Sequence, residues 1–185
     1  MEKQKQGKAG NIIREILSWV FPFLFALAVT LVLKNYVIIN ADVPTGSMEN
    51  TIMPGDRLIG NRLAYLKEEP QRGDIIIFKY PDDETQLYVK RVIGLSGETV
   101  TIREGEIYVD DELLPLAEPY LKENWTVATG DYVFEVPKDS YLVLGDNRND
   151  SWDARYWTNT YVHRDKILGE AVVVYWPFPH IGKLK

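Results

Sequence analysis

The chain of 185 residues contains no cysteine, and this absence excludes disulfide bonds, thiol catalysis and cysteine-ligated metal sites. Histidine is scarce as well, with His163 and His180 as its two instances. So few imidazoles argue against a histidine-rich zinc site, and neither histidine has neighbours typical of a Ser/His/Asp triad. We therefore expect no bound metal and no cofactor, and we look for a catalytic base among other side chains.

A surplus of positive charge is also missing. Lys and Arg together number 21 against 27 Asp and Glu, which gives a formal net charge of -6. Proteins that bind nucleic acid present a basic face, so this balance argues against nucleic acid as a partner.

Charge is absent altogether from Ile16 to Leu33. A helix of about eighteen residues, rising about 1.5 Å per residue, nearly crosses a hydrocarbon core of about 30 Å. A cleaved secretory signal is the alternative, but its apolar region would span about 7 to 15 residues and end at a small-x-small site. Lys34-Asn35-Tyr36 follows instead. We predict a retained transmembrane anchor over residues 16–35.

Basic residues crowd the segment before this span, whereas Lys34 alone follows it directly. Cytoplasmic flanks of membrane helices carry the excess of Lys and Arg, so we expect residues 1–15 to form a cytoplasmic tail. The protein would then cross the cell membrane once, and residues 36–185 would form its extracytoplasmic part. The basic residues of the tail are Lys3, Lys5, Lys8 and Arg14.

Beyond the span, short β-branched and aromatic runs alternate with Gly, Pro, Asp and Asn, a pattern typical of a mostly β, antiparallel domain. An acidic stretch with three prolines, at about residues 104–138, indicates a smaller inserted β/loop lobe. The predicted strands are Tyr36–Val43, Arg57–Ala64, Asp74–Phe78, Leu87–Leu95, Glu98–Arg103, Glu106–Val109, Tyr132–Val136, Tyr141–Leu144 and Ile167–Tyr175.

Ser47 is a candidate nucleophile because it lies close to the apolar segment. The extended chain gains at most about 3.5 Å per residue, so the link from Leu33 to Ser47 reaches roughly 50 Å at most. This short tether suggests a substrate at the membrane.

Lysine can replace histidine as a base if burial lowers its pKa. A shift from about 10.4 to about 7.5 corresponds to roughly 4 kcal/mol, which desolvation can supply. Lys90 lies in an apolar run where strand alternation puts Tyr88 and Val92 on its own face. A lysine that points into water is the commoner state in a strand, and the strand pattern alone leaves that alternative open.

Four segments in this order resemble the motif boxes of bacterial type I signal peptidases. Their order and spacing agree with that family, and the resemblance runs from about Ile16 to Phe178. The segments are residues 44–48 (Pro-Thr-Gly-Ser-Met), 72–78 (Arg-Gly-Asp-Ile-Ile-Ile-Phe), 88–98 (Tyr-Val-Lys-Arg-Val-Ile-Gly-Leu-Ser-Gly-Glu) and 144–155 (Leu-Gly-Asp-Asn-Arg-Asn-Asp-Ser-Trp-Asp-Ala-Arg).

The resemblance implies a membrane-anchored serine endopeptidase that removes signal peptides from exported preproteins after small-x-small motifs. Ser47 would be the nucleophile and Lys90 the general base, and the Ser47 N–H and the Thr45 hydroxyl would stabilise the oxyanion. Many members have serine where this chain has Thr45, but threonine keeps the hydroxyl. The implied partners are signal peptides of secreted preproteins and the lipid bilayer, with the translocation machinery as a further candidate.

The family also implies supporting roles in the fourth segment. Ser151 would hydrogen-bond to Lys90, and Asp153 would pair with Arg155. Asp146, Asn147 and Arg148 would support the site. The substrate pocket would be lined by Val43, Met48, Ile52, Tyr88 and Val89, each of which could equally be a core residue.

The chain departs from the family pattern in two places. Ala154 stands where the family usually has serine, so one supporting hydrogen bond is in doubt, and residues 157–163 differ from the commoner glycine-containing turn. Asp146, Asp150 and Asp153 cluster as they might in a carboxylate-dependent hydrolase, but nothing else in the sequence supports that function. The remaining alternatives are another serine/lysine protease of related fold, such as a self-cleaving regulator, which lacks such an anchor, and a membrane-tethered β-domain that binds a partner without catalysis.

Overall fold

The structure is a computed structural model, which describes residues 2–126 and 130–184. The chain divides into two compact units, Met1–Ile38 and Ile39–Lys185. The first unit is an α-helix, α1 (Glu2–Val32), that continues as one turn of π-helix, Leu33–Val37. Residues Leu17–Val37 have a mean hydropathy of 2.0 and are long and apolar enough to cross a membrane.

The second unit is built from antiparallel strands, as the sequence pattern predicts. Its strands are β1 (Ile38–Asp42), β2 (Arg57–Asn61), β3 (Ile75–Tyr80), β4 (Asp83–Gly94), β5 (Thr99–Arg103), β6 (Glu106–Val109), β7 (Tyr132–Glu135), β8 (Ser140–Leu144), β9 (Val162–His163), β10 (Ile167–Trp176) and β11 (Gly182–Lys183).

Most of these strands form one sheet with the order β1-β2-β10-β3-β4-β8-β9, and β11 adds to β10. The central strand β3 shows why its sequence is continuously apolar. Successive side chains point to opposite faces, so Ile76 and Phe78 enter one hydrophobic core while Ile75 and Ile77 enter the other. The second core includes Val43, Met48 and Ile52, and it therefore fixes the segment that follows β1.

A separate three-stranded sheet has the order β6-β5-β7. Its central strand β5 (Thr99–Arg103) lies entirely before the lobe predicted at residues 104–138, whereas β6 and β7 lie within that range. We call this three-stranded sheet with its loops the lobe. The turn between β5 and β6 places Glu104 and Gly105 at positive φ, 52° and 77°. The segment from Glu118 to Thr126 leaves this lobe and contacts the loop that follows β8 in the main sheet.

All nine predicted strands are present; Glu106–Val109 has its predicted ends, and the other eight have shifted ends. Strand β2 stops at Asn61 rather than Ala64 because the Asn61 Oδ1 accepts a 2.9 Å hydrogen bond from the N–H of Leu63, which closes a turn. Strand β4 begins at Asp83 rather than Leu87, since Tyr80 and Asp83 pair across a tight hairpin. The two-residue strands β9 and β11 were not predicted.

Candidate active site

A cleft with a volume of about 400 Å³ is lined by both Ser47 and Lys90. Three segments line it: the end of β1 with the loop that follows, residues 86–90 of β4, and the loop after β8. The lining residues are Asp42, Val43, Pro44, Thr45, Gly46, Ser47, Met48, Gln86, Leu87, Tyr88, Val89, Lys90, Asp150 and Trp152.

The loop that carries Ser47 is fixed by packing against the second hydrophobic core. Met48 is buried in the second core, and its carbonyl accepts the N–H of Ile52 at 2.8 Å. Beside it, the Thr45 Oγ1 lies 3.5 Å from the Ser47 Oγ. Within the described residues the Ser47 N–H donates no hydrogen bond. The loop thus presents to the cleft the Ser47 hydroxyl, the neighbouring Thr45 hydroxyl and the Ser47 N–H, which is not used by another acceptor among the described residues.

Lys90 is 3% exposed, which excludes the water-facing alternative for this lysine. Burial lowers its pKa from 10.5 to about 8, because the ammonium loses its hydration. The charges of Asp153 and Asp146 oppose this shift, while Arg155 adds to it. In the described part of the chain the amine has no hydrogen bond or ion pair, and Nζ lies 6.0 Å from the centre of the Tyr88 ring.

Arg91, the residue after Lys90, was missed by the sequence analysis. Its guanidinium binds Asp146 through two hydrogen bonds, Nε to Oδ1 at 2.8 Å and Nη2 to Oδ2 at 2.7 Å. Both side chains are buried, and the Thr51 hydroxyl donates to the same carboxylate at 2.5 Å. A buried arginine in an apolar strand requires a carboxylate as partner, but the local sequence does not indicate that this partner is Asp146.

The loop after β8 is joined directly to the serine loop by Asn147. Its N–H donates to the Ser47 carbonyl at 3.1 Å, and its Nδ2 donates to the Gly46 carbonyl at 2.9 Å. Gly145 lies at the same junction. A Cβ at this position would overlap both the Ser47 carbonyl oxygen and the Ser151 Oγ. Glycine is therefore required here by close packing.

Two further arginines, Arg148 and Arg155, stabilise the conformation of the loop after β8. Asp153 and Arg155 form a buried pair with contacts of 2.8 and 2.9 Å, and Asp153 also accepts the N–H of Gly145 at 3.0 Å. Arg148 binds Glu118 of the lobe at 2.5 and 2.8 Å. Glu118 was not anticipated. Since Asp146 and Asp153 each pair with their own arginine, they are not poised as a catalytic carboxylate pair.

Ser151 does not make the hydrogen bond to Lys90 that the family resemblance implies. Its Oγ is buried and has no hydrogen-bond partner among the described residues. The side chain lies against Gly145, close to the Ser47 carbonyl. Ser151 is thus inside the site, but its hydroxyl is unpaired in this structure.

Of the five predicted pocket residues, Val43, Met48, Tyr88 and Val89 line the cleft. Ile52 does not line it, because its side chain is fully buried in the second core beneath the serine loop. Several other lining residues were not predicted from the sequence as part of the pocket. These are Asp42, Gln86, Leu87, Asp150 and Trp152.

Neither histidine is among the residues that line the described cleft. His180 Nδ1 lies 2.6 Å from the buried Asp56, and His163 pairs with Asp165 on the surface. Ala154, where the family usually has serine, is buried in the first core together with Trp157.

Comparison with known proteins identifies the family. The family model described as "Signal peptidase, peptidase S26" matches residues 16–176. A probable signal peptidase I-2 of Synechocystis is 37% identical, over 86% of this chain and 72% of its own length. A signal peptidase I P of Bacillus subtilis subsp. natto is 34% identical over the full length of both chains. A crystal structure of signal peptidase I from Enterococcus faecalis is 36% identical, covers 56% of this chain and 97% of its own, and superposes with a TM-score of 0.47. The chain therefore belongs to the signal peptidase family, peptidase S26.

Proposed function

We propose that this peptidase cleaves with a Ser/Lys dyad, in which Ser47 is the nucleophile and Lys90 the general base. The observation that carries the proposal is the state of Lys90, which is buried at the cleft that Ser47 lines and has a pKa lowered to about 8. A base works best when its pKa lies near the working pH. An ordinary lysine would be protonated and unable to accept the serine proton.

In the first half of the reaction, neutral Lys90 accepts the proton of the Ser47 hydroxyl while Oγ attacks the scissile carbonyl carbon. The resulting tetrahedral intermediate collapses to an acyl-enzyme when the peptide C–N bond breaks. Protonated Lys90 returns its proton to the leaving amine. In the second half, Lys90 accepts a proton from water, the hydroxide attacks the ester, and Ser47 regains its proton.

The negative charge on the tetrahedral oxygen needs donors that are already in position. The Ser47 N–H is unused by other acceptors in the described chain, and the Thr45 hydroxyl lies 3.5 Å from the Ser47 Oγ. We assign both to the oxyanion hole. Loss of one such donor commonly costs about 3 kcal/mol of transition-state stabilisation.

An extended peptide can bind along β4 because one edge of this strand is open. Tyr88, Val89 and Lys90 pair with β3 on one side, whereas β8 pairs with β4 only from Arg91 onward. Backbone hydrogen bonds to such an edge bind peptides without regard to sequence, and pockets add the selectivity. Val43, Met48, Tyr88 and Val89 would form the shallow apolar pockets that select small residues before the cut.

The family acts on preproteins that carry signal peptides, and we propose Ala-x-Ala-like motifs as the preferred sites. We further propose that Leu17–Val37 anchors the protein in the cell membrane, with the basic tail in the cytoplasm and the second unit outside. A substrate whose own apolar segment lies in the bilayer would then meet Ser47 near the lipid surface. The lipid bilayer and the translocation machinery are the proposed partners.

The test is to incubate the full-length protein in detergent with a preprotein that carries an Ala-x-Ala site. Wild type should release the mature protein, whereas Ser47→Ala and Lys90→Met should not. As matched controls, Ser96→Ala and Lys79→Met change the same residue types outside the cleft and should remain active. Equal cleavage by all variants, or cleavage by none including wild type, would refute the dyad.

A further inference from the structure

Asp150 and Trp152 line the cleft together with Ser47 and Lys90, yet the proposed mechanism uses neither of them. Ser151 lies between them in an extended conformation, with φ −129° and ψ 123°, and its side chain is buried. Neighbouring side chains in an extended segment point in opposite directions. Asp150 and Trp152 therefore share the side that faces the cleft.

The indole of Trp152 is held in a defined orientation. Its ring stacks on Tyr156 with a centroid distance of 5.6 Å and an interplanar angle of 15°, and its Nε1 lies 3.4 Å from the Tyr80 hydroxyl. Trp152 nevertheless remains 57% exposed. One face of the indole is covered by Tyr156, so the exposed part offers an aromatic surface to a ligand in the cleft.

The support behind this stack is rigid. The guanidinium carbon of Arg155 lies 5.1 Å from the centre of the Tyr156 ring, and Arg155 is itself fixed by the buried Asp153. An aromatic side chain that is held in place before binding loses little conformational freedom when a ligand arrives. An exposed tryptophan without such support would provide a weaker contact.

The Asp150 carboxylate is exposed and forms no ion pair among the described residues. Lys122 lies close enough to interact electrostatically with Asp150, but its ammonium forms its ion pair with Glu49, at 2.5 Å. The other carboxylate of the cleft, Asp42, is bound by Arg57 at 3.2 Å. Asp150 is thus the cleft carboxylate that is left to interact with a bound peptide.

An aromatic face and an unpaired carboxylate two residues apart match the chemistry of one ligand group. A guanidinium stacks on indole and pairs with a carboxylate at the same time, and an ammonium can make both contacts more weakly. We propose that Asp150 and Trp152 form a subsite for a basic side chain of the substrate, arginine before lysine. This inference rests on the proposed role of Ser47.

The size of the cleft limits how many residues can separate the basic residue of the substrate from the scissile bond. The cavity of about 400 Å³ contains Ser47, Asp150 and Trp152 together. An extended peptide advances about 3.3 Å per residue, so a side chain that reaches the subsite belongs to one of about three residues on either side of the cut.

The experiment uses the full-length protein in detergent and peptides with a constant Ala-x-Ala site. Arginine, alanine or glutamate is placed in turn at each of the free positions around the cut. We expect one position at which kcat/KM for arginine exceeds that for alanine by about fivefold, with glutamate poorer than alanine. In Trp152→Ala and in Asp150→Asn this ratio should fall towards one, and Asp150→Lys should favour glutamate.

Trp176→Ala and Asp111→Asn are matched controls, because they change the same residue types outside the cleft and should keep the wild-type ratio. The subsite is refuted if no position favours arginine, or if the ratio survives in both cleft variants. A ratio that survives only in Trp152→Ala would overturn the part assigned to the indole. Failure of wild type to cut the alanine peptides would count against the proposed function instead.

Discussion

The backbone N–H of Asn147 donates a 3.1 Å hydrogen bond to the carbonyl oxygen of Ser47. A second bond, from the Asn147 side chain to the Gly46 carbonyl, measures 2.9 Å. One residue of the loop after β8 thus holds two consecutive carbonyls of the serine loop. The placement of the Ser47 hydroxyl relative to Lys90 depends on this contact.

Asn147→Ala should lower kcat while KM changes less. The substitution removes the bond to Gly46 and leaves the backbone bond to Ser47 in place. A misplaced nucleophile loses rate because small displacements matter in catalysis, and we expect about a tenfold decrease in kcat. Steady-state kinetics on an Ala-x-Ala peptide measure this. Asn159→Ala, which removes a side-chain bond to Asp82 outside the cleft, should keep the wild-type kcat.

Gly145→Ala adds only one methyl group but should lower both stability and kcat. The added methyl group would overlap the Ser47 carbonyl oxygen, and a backbone atom cannot swing aside as a flexible side chain can. We expect a loss of stability of about 1 to 3 kcal/mol and a strong fall in kcat. Gly130→Ala has open space around its Cβ and is the control for the residue type. Normal activity in Gly145→Ala would contradict the packing described for this junction.

The rate of cleavage should rise with pH, with an apparent pKa near the value of about 8 that burial gives Lys90. In the proposed dyad only the neutral amine accepts the serine proton, and at pH 7 about one tenth of the molecules carry a neutral Lys90. The profile of kcat/KM from pH 6 to 10 is the measurement. A flat profile, with chemistry shown to be rate-limiting, would argue against lysine as the base. Lys90→Arg should be inactive, because a guanidinium stays protonated.

Lys90→Met should be more stable than wild type below pH 8. The pKa of Lys90 is about 8 in the folded chain and 10.5 for an ordinary lysine. At neutral pH the buried positive charge therefore disfavours folding. Below pH 8 the full cost applies, about 3 kcal/mol at 1.36 kcal/mol per pKa unit. Wild type binds fewer protons when folded between pH 8 and 10.5, so its stability rises with pH across that range.

Denaturant unfolding of wild type and Lys90→Met at pH 7 and at pH 10.5 checks this sign. The advantage of the variant should shrink by about 3 kcal/mol between the two values. Lys79→Met, on the neighbouring strand, provides the comparison for a change of residue type. An advantage that does not depend on pH would mean that packing, rather than charge, explains it.

Glu118→Gln should destabilise the second unit, because Glu118 joins the lobe segment to the loop after β8. Its carboxylate neutralises Arg148, and both side chains are buried. A buried guanidinium left without its partner costs about 3 kcal/mol or more. The denaturation midpoint measures the loss, and Glu112→Gln, an exposed position of the same lobe, should show none. If both variants unfold alike, the link between Glu118 and Arg148 does not contribute to stability.

The strands could be predicted because each is a short β-branched or aromatic run between turn residues. Their ends were less accessible, since the end of β2 depends on a side-chain hydrogen bond from Asn61 rather than on β propensity. The pairing of Ser47 with Lys90 came from motif order. Nothing local in the sequence marks Arg91 as the partner of Asp146, or Glu118 as the partner of Arg148, because these contacts join segments far apart in the chain.

The position of a side chain relative to the cleft also distinguishes residues that look alike in the sequence. Ile52 and Met48 are both apolar residues of the serine loop, yet Met48 lines the cleft and Ile52 lies entirely in the core beneath it. Trp152 looks like an ordinary member of its motif, but its support by Tyr156 depends on how the loop after β8 folds. Such differences follow from three-dimensional packing and not from residue type.

The burial of Lys90 makes the enzyme dependent on the completion of its own fold. Until β3 and β4 have paired and the loop after β8 has closed over them, Lys90 is hydrated and keeps the proton of an ordinary lysine. In the proposed dyad, a chain that has not finished folding therefore possesses the serine but lacks a neutral amine to activate it. The proposed activity would therefore arise only with the completed fold, because the neutral amine depends on burial.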